Sequence, residues 1–237
     1  MLFKRLFTFG CSFTQYQWMT WADILACEAR QALNLGACGS GNQQIFVKLV
    51  ECHKQHRFCS DDMVMIMWTN ICREDRWAWG DWISPGSIYN QDTYDAEWVQ
   101  KFVDPVGCLK RDLAAISAAR ALLSHNSVPH VMMSVLPLAQ HDMFSLNDTS
   151  PEEQLLLSLY ADDLACILPS VYEVIFNGDW HSRQPRPTCA WNRPNTPDPH
   201  PSPLEHLEYI NQVLPAYGIS TATVDKVTQA QSALRMI

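Results

Sequence analysis

The chain has 237 residues, 47% of them apolar, and a formal charge of −8 from 17 basic and 25 acidic side chains. That is ample material for a sizeable hydrophobic core. The acidic balance, with no long basic run, argues against a general nucleic-acid or anionic-membrane surface.

Nine cysteines, at 11, 27, 38, 52, 59, 72, 108, 166 and 189, form no CxxC pair. They point to free thiols in a reducing compartment rather than a disulfide framework or a zinc ribbon. No stretch approaches the roughly 18 apolar residues of a membrane span. The N-terminal apolar run is broken by Thr8, Gly10 and Ser12 and lacks a signal-peptide core. The expectation is a soluble, cytoplasmic protein with no membrane span.

In chain order, Leu6 to Phe9 is short, apolar and stopped by Gly10, which predicts a buried parallel strand. Thr20 is placed to cap a helix through TWADILACEARQAL, with Trp21, Ile24, Leu25 and Ala29 at roughly helical spacing. A short strand near Leu33 to Leu35 then meets the glycine-rich turn NLGACGSGN. QQIFVKLVECHKQ reads as a second helix, and MVMIMW as the clearest buried strand. Residues 69–98 are irregular and carry Trp77, Trp79, Trp82, Tyr89, Tyr94 and Trp98, an aromatic insertion too rich for disorder. A long helix is expected at about 108–124 and a strand from His130 to Leu136. Ser150-Pro151-Glu152-Glu153 opens a helix through Leu164, with proline at its first position and acids in its first turn. VYEVIF, Val171 to Phe176, is expected to be a fifth strand. A Pro-rich loop occupies about 177–203, a helix follows from Pro203 to Leu214, and a last helix is expected after Ser220.

Alternating strands and helices imply a doubly wound parallel sheet with right-handed crossovers. With no repeat or linker, residues 1–237 are expected to form one domain.

Functional loops in such a sheet gather at the carboxyl ends of the strands. Four of them, at 10–14, 36–42, 69–75 and 195–202, carry the residue types that acyl transfer requires. Ser12 is a nucleophile once a base takes its proton. Read alone, however, Gly-Cys-Ser fits a turn or helix cap as well. Gly39 lets a backbone N–H approach an oxyanion, or simply makes a tight turn. Asn70 offers a side-chain N–H to the same oxyanion, or caps a strand end. In Asp198-Pro199-His200-Pro201-Ser202, His200 is suited to general base and acid, and Asp198 to holding its tautomer. The two prolines stiffen that segment.

Taken in order, these pieces resemble the SGNH hydrolase superfamily, the GDSL-type esterases and lipases. FTFGCS matches the first block with Ser12, NLGACG the second with Gly39, MIMWTN the third with Asn70, and DPHP the last with Asp198 and His200. Cys11 stands where the family has an acidic residue, Trp68 and Ile71 replace the residues flanking the third-block asparagine, and the last block has the shorter spacing. The resemblance implies a flavodoxin-like three-layer α/β/α sandwich with a mainly parallel five-stranded sheet. It also implies a Ser12–His200–Asp198 triad, an oxyanion hole from Ser12, Gly39 and Asn70, and no cofactor.

Cys11 and Cys38 are expected to be small buried fillers. Trp77, Trp79 and Trp82 suit a sugar-stacking wall, a lid or an oligomer contact. Arg73 suits an acidic substrate group, although pairing within Arg73, Glu74, Asp75 and Arg76 is the simpler account. His181 near Asp179 and His141 near Asp142 lack metal-ligand spacing, so no metal is expected. The leading reading is hydrolysis of an O-acyl ester of a carbohydrate or other small polar molecule. A non-catalytic carbohydrate-binding or assembly domain and an acyltransferase stand beside it.

Overall fold

The computed structural model describes residues 1–84, 86–89, 94–138, 150–188 and 196–236. The N-terminal apolar run forms β1 (Phe3–Phe9). The next helix, α1 (Trp21–Ala26), begins where Asp23 accepts the Thr20 backbone N–H at 2.9 Å. It is shorter than the sequence predicts. Residues of the expected helix instead make β2 (Ala29–Asn34), which pairs in parallel with β1 from Phe3↔Ala29 to Thr8↔Asn34. Ala, Arg, Gln and Leu are good helix formers, but propensity is worth only tenths of a kcal/mol per residue, and the ladder offered by β1 overrides it.

Next come α2 (Asn42–His56) and β3 (Asp62–Trp68). The 69–98 stretch is not wholly irregular: it holds an antiparallel hairpin of β4 (Arg76–Ala78) and β5 (Asp81–Ile83), then the start of α3 (Ala96–Phe102). α4 (Pro105–His125) leads to β6 (His130–Ser134). Among the described residues that follow, the helices are α5 (Pro151–Leu159), α6 (Ala161–Leu164), α7 (Val171–Val174), α8 (Pro203–Val213) and α9 (Thr221–Ser232).

The main sheet is parallel throughout, in the order β2-β1-β3-β6. The expected fifth strand is absent among the described residues, because Val171–Val174 is the helix α7. Its signal is the capping box Ser170-Val171-Tyr172-Glu173, in which the Glu173 carboxylate accepts the Ser170 N–H at 2.8 Å. At the outer edge of β6, among the described residues, an isolated parallel bridge, Met132↔Ile167, continues the sheet.

Side chains along the strands alternate between two cores, as a period of two requires. Leu6, Met65 and Met67 face α1, α7, α8 and α9. Phe7, Phe9, Val64, Ile66 and Trp68 face α2, α4 and α5. Each fully buried large apolar side chain contributes about 1.5–3 kcal/mol, so the two cores hold the helices to both faces and make a flavodoxin-like α/β/α sandwich. The chain runs outward from β1 to β2 and then returns to β3 on the other side. The crevice between β1 and β3 is therefore the topological switch point, where ligands bind in open α/β sheets.

Candidate active site

β1 ends in a tight turn, in which the N–H groups of Thr14 and Gln15 both donate to the Cys11 carbonyl, at 2.9 and 3.1 Å. Ser12 stands in that turn, well before α1, so it is not a helix cap. Cys11 is fully buried, as expected. Cys38 is not a buried filler: its thiol is exposed and lies 3.4 Å from the Gln15 carbonyl. All eight described cysteines are free thiols, and Cys189 lies outside the described residues.

His200 comes from the far end of the chain. Its Nε2 is 2.8 Å from Ser12 Oγ, and its Nδ1 is 2.7 Å from Asp198 Oδ1. An ionised carboxylate can only accept, so the ring proton sits on Nδ1 and Nε2 is left to accept from the serine hydroxyl. Asp198 Oδ1 also accepts the backbone N–H of His200 at 2.9 Å, and Oδ2 accepts the Tyr16 hydroxyl at 2.7 Å. Burial alone would raise the Asp198 pKa. The His200 and Tyr16 hydrogen bonds outweigh it and hold this carboxyl below the ordinary range. Ser12, His200 and Asp198 thus form the relay of a serine hydrolase.

Two residues complete this relay that the sequence reading did not single out. Tyr16 stacks on the His200 ring, centroids 4.0 Å apart and planes 20° from parallel, besides its bond to Asp198. Arg186, only 3% exposed, holds the DPHP segment from behind. Its Nε donates to the Asp198 carbonyl at 3.2 Å and its terminal nitrogens to the His200 carbonyl at 2.5 Å and to Glu205 at 2.6 Å. Arginine's planar fork suits this role, since one side chain satisfies three acceptors in fixed directions. A second imidazole, His206, is driven down to a pKa of about 3 by burial and then by the nearby His200 and Arg186 charges. It stays neutral.

Tyr16→Phe keeps the stack and removes one hydrogen bond to a charged acceptor. We expect kcat toward p-nitrophenyl acetate to fall roughly tenfold or more, on the basis of about 1.5–3 kcal/mol for a hydrogen bond to a charged group. KM should be unchanged.

The second and third sequence blocks lie beside this turn. The Ala37 N–H donates to the Gly10 carbonyl at 3.0 Å, packing the 36–41 loop on the end of β1. Gly39 is in the left-handed region, φ +82°, and a Cβ there would come within 2.1 Å of the Ser84 carbonyl oxygen. Asn70 follows β3, and its Oδ1 accepts the Cys72 N–H at 2.6 Å. Among the described residues, the N–H groups of Ser12 and Gly39 and the Asn70 Nδ2 donate to no protein acceptor.

The remaining predicted residues lie on or below the β4–β5 hairpin. Arg73 donates to the Ser40 carbonyl at 3.0 Å. Among the described residues, pairing within the charged cluster is that of Arg76 with Glu74, at 3.3 Å. Glu74 also meets Arg111 at 3.2 Å, and Asp75 turns away to the start of α2. Trp77 and Trp82 are directly opposed across the hairpin, with ring centroids 5.7 Å apart. On the other face Arg76 lies 5.2 Å above the Trp98 ring, so the hairpin docks by that side and presents the tryptophan pair. Trp77 is 61% exposed and Trp79, at the tip, 95% exposed. A cavity of about 490 Å³ lies apart from the relay, between α3, α4 and residues 74–76.

Among the described residues no three His, Cys, Asp or Glu side chains are grouped to hold a metal ion. His181 meets Asp179 only through its backbone N–H, at 2.9 Å. The pair His141 and Asp142 lies outside the described residues. No described helix is long and apolar enough to cross a membrane.

No family model matches the chain, and no curated protein sequence matches it at a significant level. Among solved structures, a member of the lipolytic G-D-S-L family from Veillonella parvula is 14% identical, with a TM-score of 0.49 over 90% of this chain and 100% of that one. A GDSL-like lipase from Bacteroides thetaiotaomicron is 15% identical, with a TM-score of 0.43 over 94% of this chain and 89% of that one. The psychrotrophic esterase EstA of a Pseudoalteromonas species is 11% identical, with a TM-score of 0.44 over 88% and 95%. Likeness of this degree carries no argument about activity. The chemistry rests on the relay itself.

Proposed function

We propose that the chain is a serine esterase of the SGNH type. Its substrate is an O-acyl ester, acetyl or another short chain, on a carbohydrate or similar small polar alcohol. The single observation that carries this reading is the unbroken series Ser12 Oγ, His200 Nε2, His200 Nδ1, Asp198 Oδ1, with links of 2.8 and 2.7 Å.

In the first step Ser12 Oγ attacks the ester carbonyl while its proton passes to His200 Nε2. The carboxylate of Asp198 stabilises the imidazolium that forms. The negative oxygen of the tetrahedral intermediate is placed against the N–H groups of Ser12 and Gly39 and the Asn70 Nδ2. Such preorganised donors are worth about 2.7–4 kcal/mol each to the transition state. His200 returns the proton to the departing alkoxide oxygen, which releases the alcohol and leaves Ser12 acylated. Water then repeats the sequence, with His200 again as base, and frees the acid.

The short-acyl reading is supported by Ser12 itself, which is 6% exposed and suits a small carbonyl group. The carbohydrate reading is supported by Trp77, Trp79 and Trp82, because indole faces match the apolar faces of sugar rings. Arg73 is assigned to the rim of the same site, with one guanidinium nitrogen committed to Ser40.

An organophosphonate probe tests the assignment. We expect one equivalent to attach to Ser12, and Ser12→Ala to abolish both labelling and hydrolysis of p-nitrophenyl acetate with the fold unchanged. Turnover by the folded Ser12→Ala variant at the wild-type rate rejects the reading. Failure of the wild-type protein to label, where a control hydrolase labels, favours a binding module.

A further inference from the structure

We propose that Asp75 is a positioning residue for the oxyanion loop, acting from the base of the tryptophan hairpin. The proposal rests on the assignment of Gly39 as an oxyanion donor and extends it to the element that holds Gly39 in place.

Three successive residues of that loop are held from the 73–84 stretch. At Gly39 the Ser84 carbonyl oxygen occupies the space a Cβ would need. At Ser40 the carbonyl accepts from Arg73 at 3.0 Å. At Gly41 the N–H donates to Asp75 Oδ1 at 2.7 Å, while Asp75 Oδ2 accepts the Gln44 N–H at 2.9 Å. Gly41 is the N-cap of α2 and has no side chain with which to cap it. An ordinary capping box divides its two bonds between the N-cap side chain and the third helical residue. Here Asp75, 34 positions from Gly41, reaches both of the backbone groups that such a cap closes. A carboxylate in this position also meets the positive end of the helix dipole. A Cβ at Gly41 would lie 2.7 Å from Asp75 Oδ2, so the missing side chain makes room for the incoming one.

The hairpin therefore has two separable parts. Its exposed face, Trp77 and Trp79, can change without moving Gly39. Its base cannot, because Asp75 and Ser84, which also share a 3.3 Å contact, bracket the loop from the two ends of the hairpin.

The test is a split between kcat and KM with p-nitrophenyl acetate, which is too small to need the tryptophan face. In Asp75→Ala we expect kcat to fall about 10- to 100-fold, the cost of partly losing one oxyanion donor. KM should stay within twofold, at a temperature where circular dichroism shows the variant folded. Phosphonate labelling of Ser12 should slow by a similar factor. The isosteric Asp75→Asn keeps one acceptor and should lose several-fold in kcat. It serves as the reporter if the alanine variant does not fold. Wild-type kcat in a folded Asp75 variant overturns the proposal, while Ser12→Ala inactivity in the same assay shows that the serine hydrolase reading survives it. Turnover by Ser12→Ala removes the reading instead.

Discussion

Asp198→Asn should reduce kcat for ester hydrolysis by about 10³- to 10⁴-fold. The carboxylate is almost fully buried, and it fixes His200 through both the ring Nδ1 and the backbone N–H. An amide in its place presents one acceptor and one donor. Turned with its Oδ1 on His200, it loses the negative charge and makes Tyr16 accept instead of donate; turned the other way, its Nδ2 faces the His200 ring. The imidazole is then free to carry its proton on Nε2, where it can no longer accept from Ser12. Steady-state kinetics after gel filtration checks this, and a loss under tenfold means that Asp198 does not set the tautomer.

The same carboxylate gives a pH dependence with a definite sign. Its pKa in the folded protein lies below the ordinary value, with burial opposing the shift and the His200 and Tyr16 bonds producing it. The native state therefore binds this proton less readily than the unfolded chain does. Its contribution to stability is fully present above the unfolded carboxyl pKa of about 3.9 and is lost as pH falls through the lower folded value. Acid unfolding of the Asp198→Asn variant should lose that component of its slope.

Arg186→Ala should be the most damaging single change to stability outside the apolar cores. The guanidinium is 3% exposed, lies 5.2 Å over the Phe176 ring, and pairs with Glu205 at 2.6 Å. Removing one partner of a buried pair leaves the other charge uncompensated, at a cost of about 3–5 kcal/mol. For a chain of this length that corresponds to a fall of about 10 °C in Tm. The carbonyls of Asp198 and His200 lose their donors in the same change, so activity should fall further than the unfolded fraction explains. Thermal denaturation and kcat measured well below Tm separate the two effects. Arg186→Lys replaces a fork by a single point and should recover only part of each.

How much of this was legible in the sequence depends on whether the signal was local. β1, β3 and β6 were readable because an apolar run stopped by Gly, Thr or Pro has few alternatives. His200 and Asp198 were readable because two prolines and a carboxylate two positions away make a stiff, purposeful segment. The β-branched and aromatic content of Val171 to Phe176 predicts a strand, although Ser170 and Glu173 spell a helix start. There a local cap outweighed composition. Residues 29–34 failed in the opposite direction, since only pairing with β1 makes them a strand. Tyr16 and Arg186 had no periodic or motif signal. Each matters through a bond to Asp198, 182 and 12 positions away respectively, which no local pattern displays. An arginine set between two prolines, as Arg186 is, was the one available hint.

The relay joins Ser12 to His200 across 188 positions of chain. At a synthesis rate of about 5–20 residues per second, those positions take about 10–40 s to emerge. Throughout that interval Ser12 is already outside the ribosome with no base to activate it. No nascent chain that stops short of residue 200 can acylate itself or attack its neighbours. The nucleophile is thus armed by completion of the fold.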